Sequence, residues 1–366
     1  FGKTGHFMAS YAYSISLIIA NVAIAVSAVG YGSELFGVDL NAVQTSQVTI
    51  VLLWFAAILN FRGNRFTGRI SNITVWGSIL PVLAISTIGW FWFNPDTFIA
   101  AWNPNDIPFF DAVKQSISLT LWGFLGFESA AANADAVENP RKNVPIATVS
   151  GTLAVAVIYV LSTNVMAGIV PNLDLLNSNA PFGLTFTHMF NGTVGNFVMA
   201  SMVISCLGAL LCWQFTLSRV FKSAAEAGFF PKVFARVNSK DAPVRGVLIL
   251  LIIQTILTLC TANEILREQF ENLVNLAVVT NVVPYILVTL AVPVMMERSN
   301  VSKSHINRFR VIGIFGVLYC VYAIYSCGEA AIIGGAVVLL IGLGICAIRK
   351  IIAVRRAQRE LQQSID

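Results

Sequence analysis

The sequence predicts an all-α polytopic membrane protein with ten transmembrane helices. Three observations carry this. The 366 residues are 56% hydrophobic and only 11% charged, where a soluble domain carries about 25% charge. The mean hydropathy is +0.75. Third, the apolar residues gather in runs long enough to cross a bilayer, which takes about 20 of them, and the basic residues collect in the loops between.

The spans read in order as Phe7–Tyr31, Gln47–Phe61, Ile73–Phe93, Val113–Ala134 and Val144–Val170, then Val194–Phe221, Val244–Thr261, Leu273–Met296, Val311–Ser326 and Ala330–Ala347. The second is short and draws on Val43–Ser46 to cross. Before the first span, Phe1-Gly2-Lys3-Thr4-Gly5-His6 reads as a hydrophilic turn, with no signal-peptide pattern.

Loop charges alternate through all ten spans. One set of ends carries Lys3, then Arg62, Arg65 and Arg69, then Arg141 and Lys142, and so on to Arg349 and Lys350; the other holds only Lys114 and Arg267 among acids such as Glu34, Asp39 and Asp96. The excess of Lys and Arg marks the cytoplasmic side, so both termini are expected in the cytoplasm. The net charge of +5 is accounted for by these loops and does not point to nucleic acid; the expected partner surface is the lipid bilayer.

Two loops carry more signal. Arg219 to Val237, around Gly228-Phe229-Phe230-Pro231, alternates apolar and basic residues and reads as a short interfacial segment. Asp135 to Pro145 reads as a helix exit, a turn and a new helix start, since Pro140 and Pro145 suit turns and first helical turns.

Cys206, Cys212, Cys260, Cys320, Cys327 and Cys346 lie in or beside apolar spans without a C-x-x-C pair, as small packing residues do. The three histidines, His6, His188 and His305, are scattered, so neither a metal site nor a cofactor is expected. No nucleophile–base pair lies within the spans, which argues against an enzyme.

One stretch organises the rest: Leu121-Trp122-Gly123-Phe124-Leu125-Gly126-Phe127-Glu128-Ser129. A carboxylate in mid-bilayer costs about 3 kcal/mol on insertion scales, so Glu128 needs a purpose. Two glycines beside it predict a broken helix, and broken helices at mid-membrane are where many transporters hold their cargo. Glu128 suits a cation and can exchange it for a proton. Trp122 and Trp213 lie inside apolar runs rather than at their ends, where a tryptophan face would attract an ammonium; packing is the plainer alternative. Asn21, midway along the first span, is either interhelical glue or a cargo contact. Asn275, Thr280, Asn281 and Tyr285 make the eighth span polar, with Pro284 to bend it, as for a cavity-facing side.

Trp122 to Ser129, followed by Glu138-Asn-Pro-Arg-Lys-Asn-Val-Pro145, resembles the amino acid–polyamine–organocation transporters, and within them the basic amino acid/polyamine antiporters. Tyr159-Val-Leu-Ser-Thr-Asn-Val165, Ala180-Pro-Phe-Gly183, Trp213-Gln-Phe-Thr216 and Leu273 to Asn281 are most similar to the bacterial putrescine–ornithine carriers. This chain departs from those at Ala131 and Leu207, where they have cysteines.

The resemblance implies a LeuT-like inverted-repeat transporter fold of twelve helices, with two family helices preceding the first span here. Residues 1–366 would then be one transporter domain: 1–112 the remainder of a first repeat, 113–296 the second, 297–366 the last two helices and tail. It implies that Glu128, Trp122, Trp213 and Asn21 bind substrate. It implies an inner-membrane antiporter exchanging putrescine for ornithine, with proton exchange and a homodimer as further expectations. Exchange of lysine for cadaverine or of arginine for agmatine is the alternative; a non-transporting membrane scaffold is the rival of another class.

Overall fold

The computed structural model describes residues 2–128, 137–238, 243–262 and 265–363, and among them every regular element is helical. Among the described residues, eight helices are long and apolar enough to cross a membrane. α1 (Gly2–Phe36) is followed by α2 (Ala42–Asn60) and by α3 (Asn64–Thr74) and α4 (Trp76–Ile88), which together with a 3₁₀ turn at Gly89–Trp92 make one span. A short α5 (Pro95–Trp102) precedes α6 (Phe109–Trp122). Then come α7 (Pro140–Ile169), the short α8 (Asn172–Asn177) and α9 (Pro181–Met189), and α10 (Gly192–Glu226). The chain ends with α11 (Val244–Cys260), α12 (Leu266–Arg298), α13 (Lys303–Ser326) and α14 (Glu329–Gln363). α11 is apolar but has only 17 residues. α6 stops at Trp122, and the fourth expected span from Ser129 to Ala134 lies outside the described residues.

Local chemistry sets the helix starts. Asn41 and Gln44 form a reciprocal capping box at α2, which satisfies two orphan N–H groups. Asn94 and Asn191 cap α5 and α10 through their side chains. Proline opens α5, α7 and α9, where its missing N–H costs nothing.

α1 is the hub. It packs along α12 and α10, and 72% of its most apolar window is buried inside the protein. Its small residues explain this: Ala12, Ala23, Ala25 and Ala28 are buried, and helices in lipid associate by close packing of small side chains rather than by hydrophobicity. By contrast, none of the corresponding window of α7 and only 6% of that of α13 is buried, and Ile312, Phe315 and Leu318 are exposed for lipid to cover.

The ends that carry basic residues meet. Arg349 of α14 donates hydrogen bonds to the carbonyls of Gly228 and Phe229 beyond α10 and lies over the ring of Phe7 at the start of α1, 5.3 Å from its centroid. At the opposite ends, the Asn179 N–H donates to Glu34 Oε1 (3.0 Å).

The structure corrects two local readings. Residues 2–6 are the first turns of α1 rather than a hydrophilic turn. The segment from Arg219 is not separate from the sixth span: α10 runs on to Glu226, supported by a Lys222–Glu226 pair at i,i+4 (3.9 Å). The interfacial piece reduces to the Gly228–Pro231 turn and a 3₁₀ turn at Lys232–Ala235. α5, α8 and α9 were not foreseen, because at 8, 6 and 9 residues they are shorter than the hydrophobic period needs to declare itself.

Candidate functional site

α6 ends where its glycines stand. The N–H groups of Phe124 and Leu125 fall back on Leu121 and Trp122 O, three residues earlier (2.9 and 3.2 Å), and Gly126 adopts φ +108°, a conformation that glycine alone enters freely. The break frees backbone groups that lipid cannot satisfy. Two side chains answer them. Tyr159 of α7 donates its hydroxyl to Gly123 O (3.0 Å). Glu128 Oε2 accepts the Gly126 N–H (2.8 Å).

That same oxygen accepts a hydrogen bond from Tyr285 Oη of α12 (2.5 Å), and Tyr13 of α1 also hydrogen-bonds the Glu128 side chain. One carboxylate therefore ties the break to α1 and α12. Opposite, Trp213 of α10 lies against the Gly126 backbone so closely that a Cβ there would stand 2.9 Å from Trp213 Cζ2. Gln214, the next residue, donates to Gln254 of α11 (2.7 Å), which holds this turn of α10 in register.

These groups enclose a cavity of about 180 Å³ whose wall includes Trp122, Gly126, Glu128, Trp213, Ser16 and Asn281. A cavity of about 150 Å³ holds benzene, so this one suits a ligand of about six heavy atoms. Among the described residues, Glu128 is the one ionisable side chain in the wall. Asn281 Nδ2 donates to Ser16 Oγ (3.1 Å), fixing a neutral polar edge beside the carboxylate. The described wall therefore combines one carboxyl group with two indoles, groups that can meet a compact organic cation by charge and by aromatic face.

Of the residues singled out from sequence, Glu128, Trp122 and Trp213 come together here. Asn21 does not line the cavity, although Ala20 and Ile24 do; it is fully buried, and neither amide atom has a partner among the described residues. Asn281 and Tyr285 reach the site, whereas Thr280 bonds back to Leu276 and Ala277 O within its own helix. Tyr13, Ser16 and Tyr159 were missed. The only sequence signal for the first two was a sprinkling of hydroxyls in α1, which looks like interhelical packing. Ser129 and Ala131 lie outside the described residues, and Leu207 lines a different cavity. Among the described residues no cluster of three His, Cys, Asp or Glu could hold a metal.

Membrane-spanning helices around a carboxyl group at a helix break are an arrangement suited to a polytopic transporter. The chain belongs to the amino acid permease family, whose profile matches residues 1–346. It is 55% identical over 342 residues to the putrescine transporter PotE of Haemophilus influenzae, a match covering 93% of this chain and 79% of that one. It is 54% identical to the putrescine transporter PotE of Escherichia coli, with 93% and 78% covered. A cadaverine/lysine antiporter of Escherichia coli is 29% identical over 328 residues, covering 88% of this chain and 73% of that one.

Proposed function

We propose that this protein exchanges putrescine for ornithine across the bacterial inner membrane by alternating access. The observation that carries the reading is that Glu128, the one carboxyl group among the described wall residues, shares a cavity of about 180 Å³ with Trp122 and Trp213, in a chain 55% identical to a putrescine transporter. Putrescine has six heavy atoms, two ammonium ends and no carboxylate, which suits a wall with one acid, two aromatic faces and otherwise neutral groups. An ammonium donates to Glu128 and lies against the indoles, where a desolvated cation–π contact contributes about 2 kcal/mol or more. Asn21, one residue from the cavity wall, acts from behind it.

The proposal includes the architecture. Ten spans, with α6 and α11 crossing as well, form one domain: 1–112 belonging to a first repeat, 113–296 to a second and 297–366 to the last two helices and tail, in a LeuT-like fold. The convergence of Arg349, Phe7 and Phe229 supports both termini on one side, and loop basicity makes that side the cytoplasm. Proton exchange, if coupled, would take place at Glu128, the ionisable side chain among the described wall residues. A second copy of the chain would cover part of the exposed apolar face of α13 and α14.

The test is counterflow in proteoliposomes loaded with ornithine, with putrescine, cadaverine, agmatine, lysine and arginine offered outside. Fastest exchange with putrescine supports the reading. Preference for cadaverine and lysine, or for agmatine and arginine, replaces the substrate pair; no saturable exchange of any compound removes the antiporter reading.

A further inference from the structure

Away from this cavity, α3 meets α10 in a way the transport reading does not use. Its inner face is stapled. Thr67 Oγ1 donates to Asn60 Oδ1 (2.7 Å), Asn60 Nδ2 donates to Leu211 O (3.0 Å), and Ser71 Oγ donates to Gly208 O (3.3 Å). Thr74 packs so tightly on Gly208 that a Cβ there would stand 1.7 Å from Thr74 Oγ1. Beside this seam an apolar crevice of about 170 Å³ runs between α2, α3 and α10, walled by Phe55, Ile70, Ile204, Leu207 and Leu211. Phe55 and Ile204 are half exposed, so the crevice opens toward lipid.

Three guanidiniums stand at the α2–α3 turn beside it: Arg62 follows the wall residue Leu59 by three positions and Arg69 precedes the wall residue Ile70, with Arg65 one turn before Arg69. Arg62, Arg65 and Arg69 are exposed, and none of them forms an ion pair among the described residues. Arg62 lies over the Phe66 ring, 5.2 Å from its centroid. The chain has no acidic residue between Asp39 and Asp96, so nothing nearby in sequence balances this charge. Arg65 and Arg69 are four apart and share a helix face, and guanidinium is the side chain that grips phosphate in bidentate fashion.

We propose that this is a seat for one anionic phospholipid. Its phosphate is held by Arg62, Arg65 and Arg69, and one acyl chain fills the crevice lined by Ile70, Ile204 and Leu207. The lengthwise order matches the lipid: charge at the start of α3, then apolar wall, then the exposed Ile73, Trp76 and Leu80 continuing along the span. Charge complementarity selects an anionic headgroup over a zwitterionic one, since basic groups at the membrane surface attract anionic lipids. The stapled inner face makes the seat rigid and sets it on α10 two residues from Trp213.

The test is native mass spectrometry of the protein purified through mixed micelles with equimolar phosphatidylglycerol and phosphatidylcholine. The expected result is at least a fivefold preference for retained phosphatidylglycerol, reduced to near unity by R62Q/R65Q/R69Q and largely kept by the corresponding lysine variant. A Leu207→Trp substitution, which fills the crevice and leaves the arginines, is expected to lower the phosphatidylglycerol retained by several-fold. Equal retention of the two lipids by the parent protein would overturn the proposal. So would a preference that survives loss of all three arginines, or retention unchanged by the crevice-filling residue.

Discussion

Two irregularities interrupt the helical hydrogen-bond ladder around one cavity, and they have opposite outcomes. At Gly123–Phe127 the chain leaves the helix and Gly126 turns to φ +108°. At Pro284 it does not: α12 continues through that proline and Pro293 as one helix of 33 residues. Proline removes a single N–H donor and perturbs one turn, which a packed helix absorbs; Asn281 and Tyr285 on either side of Pro284 still reach the site. The glycine break exposes several groups at once, and it persists because Glu128, Tyr159 and the close-packed Trp213 occupy the space and the hydrogen bonds. A break in lipid is therefore a property of the surrounding side chains as much as of the glycines.

The largest expected effect comes from removing the charge that both irregularities converge on. Glu128→Gln is expected to cut putrescine exchange more than tenfold while the protein inserts and purifies normally. Counterflow at matched expression checks this, and exchange within twofold of the parent would remove Glu128 from the site. Next is Gly126→Ala. The left-handed conformation costs an L-residue about 1–2 kcal/mol, and the new methyl meets Trp213 at 2.9 Å. Exchange should fall several-fold with a lower melting temperature; an unaltered variant would mean that the break tolerates a side chain.

Trp213→Leu should weaken putrescine binding more than Trp213→Phe, because cation–π attraction needs a ring face and not merely volume. Equal dissociation constants for the two would assign Trp213 to packing. Smaller still, Tyr159→Phe leaves Gly123 O without its donor. That costs about 1 kcal/mol of stability, read as a melting temperature lower by a few degrees with substrate preference unchanged. A change in preference instead would place Tyr159 in recognition. The smallest effect belongs to the other irregularity: Pro284→Ala should change exchange by less than twofold, and a loss as deep as that of Gly126→Ala would erase the contrast between break and bend.

Much of this was legible in the chain itself. Spans and their alternation follow from bulk hydropathy and loop charge, which act over twenty residues and tolerate error. Glu128 stood out because a carboxylate in hydrocarbon is costly, and Gly126 because it lies beside it. Asn21 shows the limit. A polar residue at mid-span signals burial in protein, but its direction around α1 decides whether it meets cargo, and one position separates it from Ala20 and three from Ile24 in the wall. Tyr13 and Tyr159 were illegible for a related reason. A tyrosine in an apolar run is ordinary, and only the fold brings residues 36 and 115 positions away to the two ends of one short break. The seam between α3 and α10 was equally hidden, since Thr67, Ser71 and Gly208 look like any small residues in a span.

The central claim is that the Glu128 carboxylate holds an ammonium between two indoles, and equilibrium binding of labelled putrescine to the purified protein tests it most directly. The parent should bind saturably, and Glu128→Gln should raise the dissociation constant at least tenfold, about 1.4 kcal/mol, with folding matched by circular dichroism. Binding by the glutamine variant within twofold of the parent would contradict the claim and send the search for the cation's partner elsewhere.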